Sequence, residues 1–170
     1  MATSTLIQRL DGTALVPSST VPGGYDVVTT PDVSNRRQIE TFIAGATVAV
    51  GDWLEFDTSK TGAERVLTVI QAGANGTGNP LVVGVCLGSA QSDGLLTAES
   101  KINVIVAGYA EGVNVDNAVG AAGIPLAVSA TAGRAQATIL PVGIGSGGVC
   151  GVSLEAAVGN KCDVWVYKQF

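Results

Sequence analysis

The sequence predicts an all-β fold, a compact β-barrel or sandwich built from two related β units, preceded by an extended N-terminal arm and holding at most one short helix. Three observations predict it. From Thr41 onward, short β-rich runs alternate with glycine-containing turns, the pattern of small all-β domains. The stretch LVVGVCLGSAQSDGLLTAESKINVIVAGY (Leu81 to Tyr109) returns in shortened form as VCGVSLEAAVGNKCDVWVYKQF (Val149 to Phe170). The segment before each copy repeats too: VGDWLEFDTSKTGAERVLTVI (Val50 to Ile70) is echoed by AGIPLAVSATAGRAQATI (Ala122 to Ile139), with Gly51 over Gly123, Leu54 over Leu126, Gly62 over Gly133 and Gly84 over Gly151. Two copies are too few for a solenoid, so the units are expected to close on each other as one body. The organisation read from this is an arm over 1–40 and a body over 41–170, with the repeat spanning about 45–108 and 113–168.

In chain order, the arm carries Pro17, Pro22-Gly23-Gly24 and Pro31 between short apolar pairs, Leu6-Ile7, Leu15-Val16 and Val27-Val28. It shows no sustained period, and it is too apolar for a plain linker, so it is expected to order against a partner. In WLEFD, alternation puts Leu54 and Phe56 on one face and Trp53, Glu55 and Asp57 on the other. Thr58 to Gly62 reads as a turn and Arg65 to Gln71 as the returning strand. AGANGTGNP (Ala72 to Pro80) is a loop by its turn residues. The one short helix is expected around Gly94 to Ser100.

The run after Lys101 is apolar on both faces, with Ile102, Val104 and Val106 on one and Ile105 and Ala107 on the other. Its C-terminal counterpart places Val164 and Val166 on the first face and Trp165 and Tyr167 on the second. A strand apolar on both faces is covered on both. Leu54, Phe56, Val104, Val106, Leu126, Val128, Val164 and Val166 are therefore expected to share one core. The second face has no internal layer in a small barrel, so Trp165, Tyr167 and Ile105 are expected at a subunit interface, with a helix over Gln91 to Ser100 as the competing cover. The arm residues Leu6, Ile7, Leu15, Val16, Val27 and Val28 are expected to fill shallow pockets of a neighbouring molecule.

Hydrophobic residues make up 46% of the chain and charged residues only 14%, well under the roughly 25% charged residues of ordinary soluble proteins. So neutral a surface is expected to be partly covered by another subunit. The net charge of -5 and the lack of any basic run speak against nucleic acid. Arg36-Arg37 is a basic pair that reads as solvated or salt-bridged. No apolar stretch reaches the roughly 20 residues of a membrane span, and the N-terminus lacks the order of a signal peptide, so no membrane partner is expected and synthesis in the cytoplasm is. Cys86, Cys150 and Cys162 read as buried free thiols, with a Cys150 to Cys162 bridge as the alternative.

The chain has no histidine, which removes Ser-His and Cys-His nucleophilic systems and histidine metal sites. GIGSGG (Gly143 to Gly148) follows Leu-Pro and lacks the Lys-Ser/Thr of a phosphate loop, so it reads as a strand connection. The carboxylates, among them Asp52, Glu55, Asp57, Asp116 and Asp163, are scattered singly and read as solvated charges. No catalytic residue, metal or cofactor is expected; the chain reads as a non-enzyme.

The order of features has a counterpart in a known family. An arm is followed by V-G-D-W (Val50 to Trp53), V-V-G-V (Val82 to Val85), a V-x-V strand ending in glycine (Val104 to Gly108), then A-G-I-P-L and a G-R-A turn. This order, over about 40–170, resembles the capsid decoration (cement) proteins of tailed bacteriophages. The resemblance implies a β-barrel-like structural virion protein, a homotrimer that sits on the outer surface of the capsid, binds the major capsid protein and stabilises the shell by bridging its subunits. The alternative kept beside it is a glycan-binding β module of a phage or bacterial surface fibre, with Trp53, Tyr109, Trp165 or Tyr167 stacking on sugar rings.

Overall fold

The structure, a computed structural model, describes residues 12–17, 25–30, 36–73, 81–138 and 148–169, with side chains from residue 36 onward. Two units divide the chain, Met1–Arg37 and Gln38–Phe170. In the first, β1 (Gly12–Pro17) and β2 (Tyr25–Thr30) form a two-stranded antiparallel sheet in which Leu15 pairs with Val27 and Ala14 with Val28. The expected extended arm thus carries a hairpin: the apolar pairs are strand residues, and Pro22-Gly23-Gly24 separates them in sequence. Leu6 and Ile7 lie outside the described residues, as do the side chains of Leu15, Val16, Val27 and Val28.

The second unit is all-β. Its strands are β3 (Arg37–Ala44), β4 (Trp53–Phe56), β5 (Thr68–Gln71), β6 (Val82–Ser89), β7 (Lys101–Asn114), β8 (Pro125–Val128), β9 (Ala135–Ala137), β10 (Val149–Ser153) and β11 (Lys161–Val166). They hydrogen-bond in the order β3-β5-β4-β6-β7-β11-β10-β8-β9, and β3 also pairs with β7, closing a five-stranded barrel. β3 and β5 run parallel, whereas β4–β5, β4–β6 and β6–β7 are antiparallel.

The second repeat is built the same way. β7 is 14 residues long, enough to serve both copies: its first half completes the first barrel and its second half stands where β3 stands in the first copy. β11, β10, β8 and β9 follow from it in antiparallel pairs, and a parallel bridge from Val115 to Ala135 returns β9 to the end of β7. The backbone bond from Gly45 N–H to Val69 O (2.8 Å) in the first copy is matched by Asp116 N–H to Ala135 O (2.8 Å) in the second. Gly84 and Gly151 share a reason. A Cβ on Gly84 would collide with the carbonyl of Ile105, and one on Gly151 would lie 2.6 Å from the carbonyl oxygen of Trp165, so each position admits only glycine beside its partner strand.

The single helix among the described residues is α1 (Glu64–Leu67), one turn without a buried residue. It replaces the start of the strand expected from Arg65 and lengthens the first copy's connection; Gly62 and Gly133 lie in the matching connections, β4 to β5 and β8 to β9, and both take positive φ (57° and 73°). The helix expected at Gly94 to Ser100 is absent from that stretch. There Asp93 Oδ1 accepts from Leu95 N–H (3.0 Å), and Gly94 and Glu99 take positive φ (70° and 67°), local bonds and backbone that compete with a helix.

The expectation of one shared core is overturned. Leu54, Val104 and Val106 belong to a cluster with Phe42, Val69 and Ile102, against which the half-buried Phe56 packs, whereas Leu126, Val128, Val164 and Val166 belong to a second cluster with Val113 and Val115. The reason is closure: each barrel turns its inward face around its own interior, and residues at matching positions fill different interiors. Trp53, Val85 and Ile105 point away from the first interior and join the second cluster. Ile105, expected at a subunit interface, is 2% exposed. The layer missing from the sequence reading is the second barrel.

Candidate interaction surface

Where the barrels meet, the polar groups are knotted around Asp52. Its Oδ2 accepts from Gln71 Nε2 (2.7 Å) and Ala49 N–H (2.8 Å), and its Oδ1 accepts from Asn114 Nδ2 (2.7 Å). Trp53 N–H donates to Gly133 O (3.0 Å), and Gly133 N–H donates to Ala72 O (2.8 Å). Asp52, Glu55 and Asp57 are all buried, which corrects the reading of these carboxylates as solvated. Alternation placed Glu55 and Asp57 on the face opposite Leu54 and Phe56 without revealing that this face is covered. Trp53 is fully buried against Gly151, so it is no sugar-stacking surface.

The outward wall of the second barrel is a different case. Pro125 pairs with Val152, Val152 with Trp165, and Trp165 with Tyr109, so β8, β10, β11 and β7 carry one transverse row. Directly paired residues share a face. Val164 and Val166, on either side of Trp165, point into the barrel. Trp165 is therefore outward and 39% exposed, and Tyr167, one pleat further on the same face, is 42% exposed. The two aromatic residues singled out by the sequence lie where they were placed on the strand; Ile105 does not join them.

The polar tip of Tyr109 is tied down within the chain. Its hydroxyl donates to Asp163 Oδ2 (2.6 Å), and Asp163 Oδ1 accepts from Gly112 N–H (2.9 Å). That bond, assisted by partial burial and by the negative charges of Asp163, Glu111 and Glu155, pushes the phenol from its ordinary 10.0 up to about 12. Tyr109 is neutral at any physiological pH.

A cavity of about 130 Å³ opens beside the core of the first barrel, lined by Phe42, Phe56, Val66, Val83, Val106, Glu40, Lys168 and Gln169. Phe42 and Phe56 meet edge to face with centroids 6.3 Å apart. The Lys168–Glu40 ion pair (3.7 Å) stands in solvent at this opening and contributes little. Sites for drug-sized ligands run to roughly 300–1,000 Å³, so this one is the size of a single side chain or ring.

Cys86, Cys150 and Cys162 are free and buried. Burial pushes the Cys86 thiol up to about 11 and the Cys150 thiol up to about 12, and it raises that of Cys162. Such thiols are poor nucleophiles. Among the described residues, no group of three or more His, Cys, Asp or Glu side chains is placed to hold a metal ion, and no helix is long and apolar enough to cross a membrane. No family model, no curated protein and no solved structure matches this chain.

Proposed function

We propose that the chain is a non-catalytic structural virion protein that binds the outer surface of a tailed-phage capsid and stabilises it by bridging copies of the major capsid protein. The observation that carries this reading is the contrast between the two units. The body has two cores of its own, whereas β1 and β2 pair only with each other among the described residues. A lone two-stranded hairpin is marginal in water. It gains stability by lying on another surface or by adding a strand from a neighbour to its open edge, and the capsid would be that surface. Individually weak contacts of this kind become effective when icosahedral symmetry repeats them. The test compares the full chain with one beginning at Gln38, by thermal unfolding and by binding to undecorated heads of the virus that carries the gene. The shortened body is expected to melt as before and to lose most of its affinity for heads. Equal affinity of the two chains refutes the reading.

A second reading, the glycan-binding module of a surface fibre, draws on the open rings of Trp165 and Tyr167. It predicts that added oligosaccharides change the fluorescence of Trp165; unchanged emission across a glycan panel removes it.

A further inference from the structure

The duplication provides a comparison within one chain. In the first barrel the outward row Trp53, Val85 and Ile105 runs across β4, β6 and β7, and all three residues are buried beneath the second barrel. The same register positions in the second barrel are Pro125, Val152 and Trp165, and Tyr109 extends the row. This second row is open: Trp165 is exposed, and the other three are half-buried. One chain thus presents the same kind of row twice and covers it once, with a barrel of its own kind.

We propose that a second copy of this chain covers the open row, in a two-fold contact that sets the row of one copy against the same row of its partner. The precedent is the intramolecular one, in which a barrel is what lies on such a row. A head-to-tail ring needs a second surface complementary to the row, and the surface that fills that role inside the chain is already occupied by the chain's own first barrel. A two-fold contact uses one patch twice and needs no other.

The side chains are graded in a way that suits this geometry. The row is large at the β11–β7 end, with Trp165 and Tyr109, and small at the β8–β10 end, with Pro125 and Val152. A two-fold axis along the strands reverses the row, so Trp165 lies against the partner's Val152 and Tyr109 against the partner's Pro125, large on small at both ends. Covering Tyr109 leaves no hydroxyl stranded, because its proton is already donated to Asp163.

This two-fold contact departs from the homotrimer that the resemblance implies, and it is tested without capsids. Sedimentation equilibrium of the full chain is expected to give a particle of twice the chain mass. Trp165→Val removes the anchor, and Val152→Trp overfills the small end; each is expected to raise the dissociation constant by about 30-fold or more. Both changes in one chain move the large side chain to β10 and the small one to β11, which keeps large on small, and are expected to bring the constant back to within about 10-fold of the starting value. Circular dichroism and melting of each variant confirm that the body is folded, as substitutions on an outer wall allow. A monomer at every concentration, a three-fold particle, or a double variant no tighter than the single ones overturns the proposal.

Discussion

Replacing Asp52 by alanine tests whether the junction between the barrels is held by the knot around that carboxylate. The substitution removes the acceptor for Gln71 Nε2, Asn114 Nδ2 and Ala49 N–H. Ala49 is exposed and finds water, whereas Gln71 and Asn114 are half-buried. Leaving a buried donor without its partner costs about 1–3 kcal/mol, and bonds to a charged acceptor are among the stronger ones. Two such donors, partly relieved by entering water, put Asp52→Ala at about 2–4 kcal/mol. Asp52→Asn keeps one acceptor oxygen for Gln71 and Ala49, and its amide is accommodated when Asn114 turns to present its own oxygen, so it should cost about 1 kcal/mol. Urea unfolding followed by tryptophan fluorescence reads both values, with the m-value unchanged because the surface exposed on unfolding is the same. If Asp52→Ala unfolds within about 0.5 kcal/mol of the parent chain, the range of an ordinary surface substitution, the knot carries no stability and the argument fails.

Val104→Ala and Val164→Ala, at matching positions of the two barrels, should each cost about 1.5–3 kcal/mol, and the double variant should equal the sum within about 0.5 kcal/mol because the residues fill separate cores; a clear departure from additivity returns them to one core. The phenol of Tyr109 is raised in the folded chain, so its contribution to stability is complete below its ordinary 10.0 and is lost as pH climbs to about 12. In spectrophotometric titration of the folded protein one of the three tyrosines should ionise only near the upper value, and Asp163→Asn should bring it down; no change on that substitution refutes the assignment to Asp163. The three thiols should resist an aromatic disulfide reagent at pH 8 in the folded chain and react fully in denaturant, and fast labelling of any one of them in the native state contradicts its burial.

Alternation along single strands was legible in the sequence and carried over well. It assigned Leu54 to an interior face and Trp53 to the opposite one, and it put Trp165 and Tyr167 on the face away from Val164 and Val166. The duplication was legible too, since Gly84 and Gly151 mark the same close approach between strands in both copies. What the pattern could not reveal was which layer covers each face. Period-two spacing says that Ile105 and Asp57 lie opposite the core residues beside them, and it is silent on whether water, another subunit or a second barrel lies there. The hairpin over Gly12–Pro17 and Tyr25–Thr30 escaped because its pairing, not its period, makes it a sheet.

The sequence by itself determined an all-β chain of two related units, with the faces of its strands and the glycines at their closest approaches, because these follow from local backbone geometry and side-chain spacing. Only the tertiary structure decided that each unit closes on its own core, that β7 belongs to both, and that Asp52 and Ile105 are buried while Trp165 is open. The reason is that closure is a matter of contacts between residues far apart in the chain: Val115 meeting Ala135 and β3 meeting β7 leave no mark on the local pattern of either partner, yet they decide which of two equally apolar faces becomes interior.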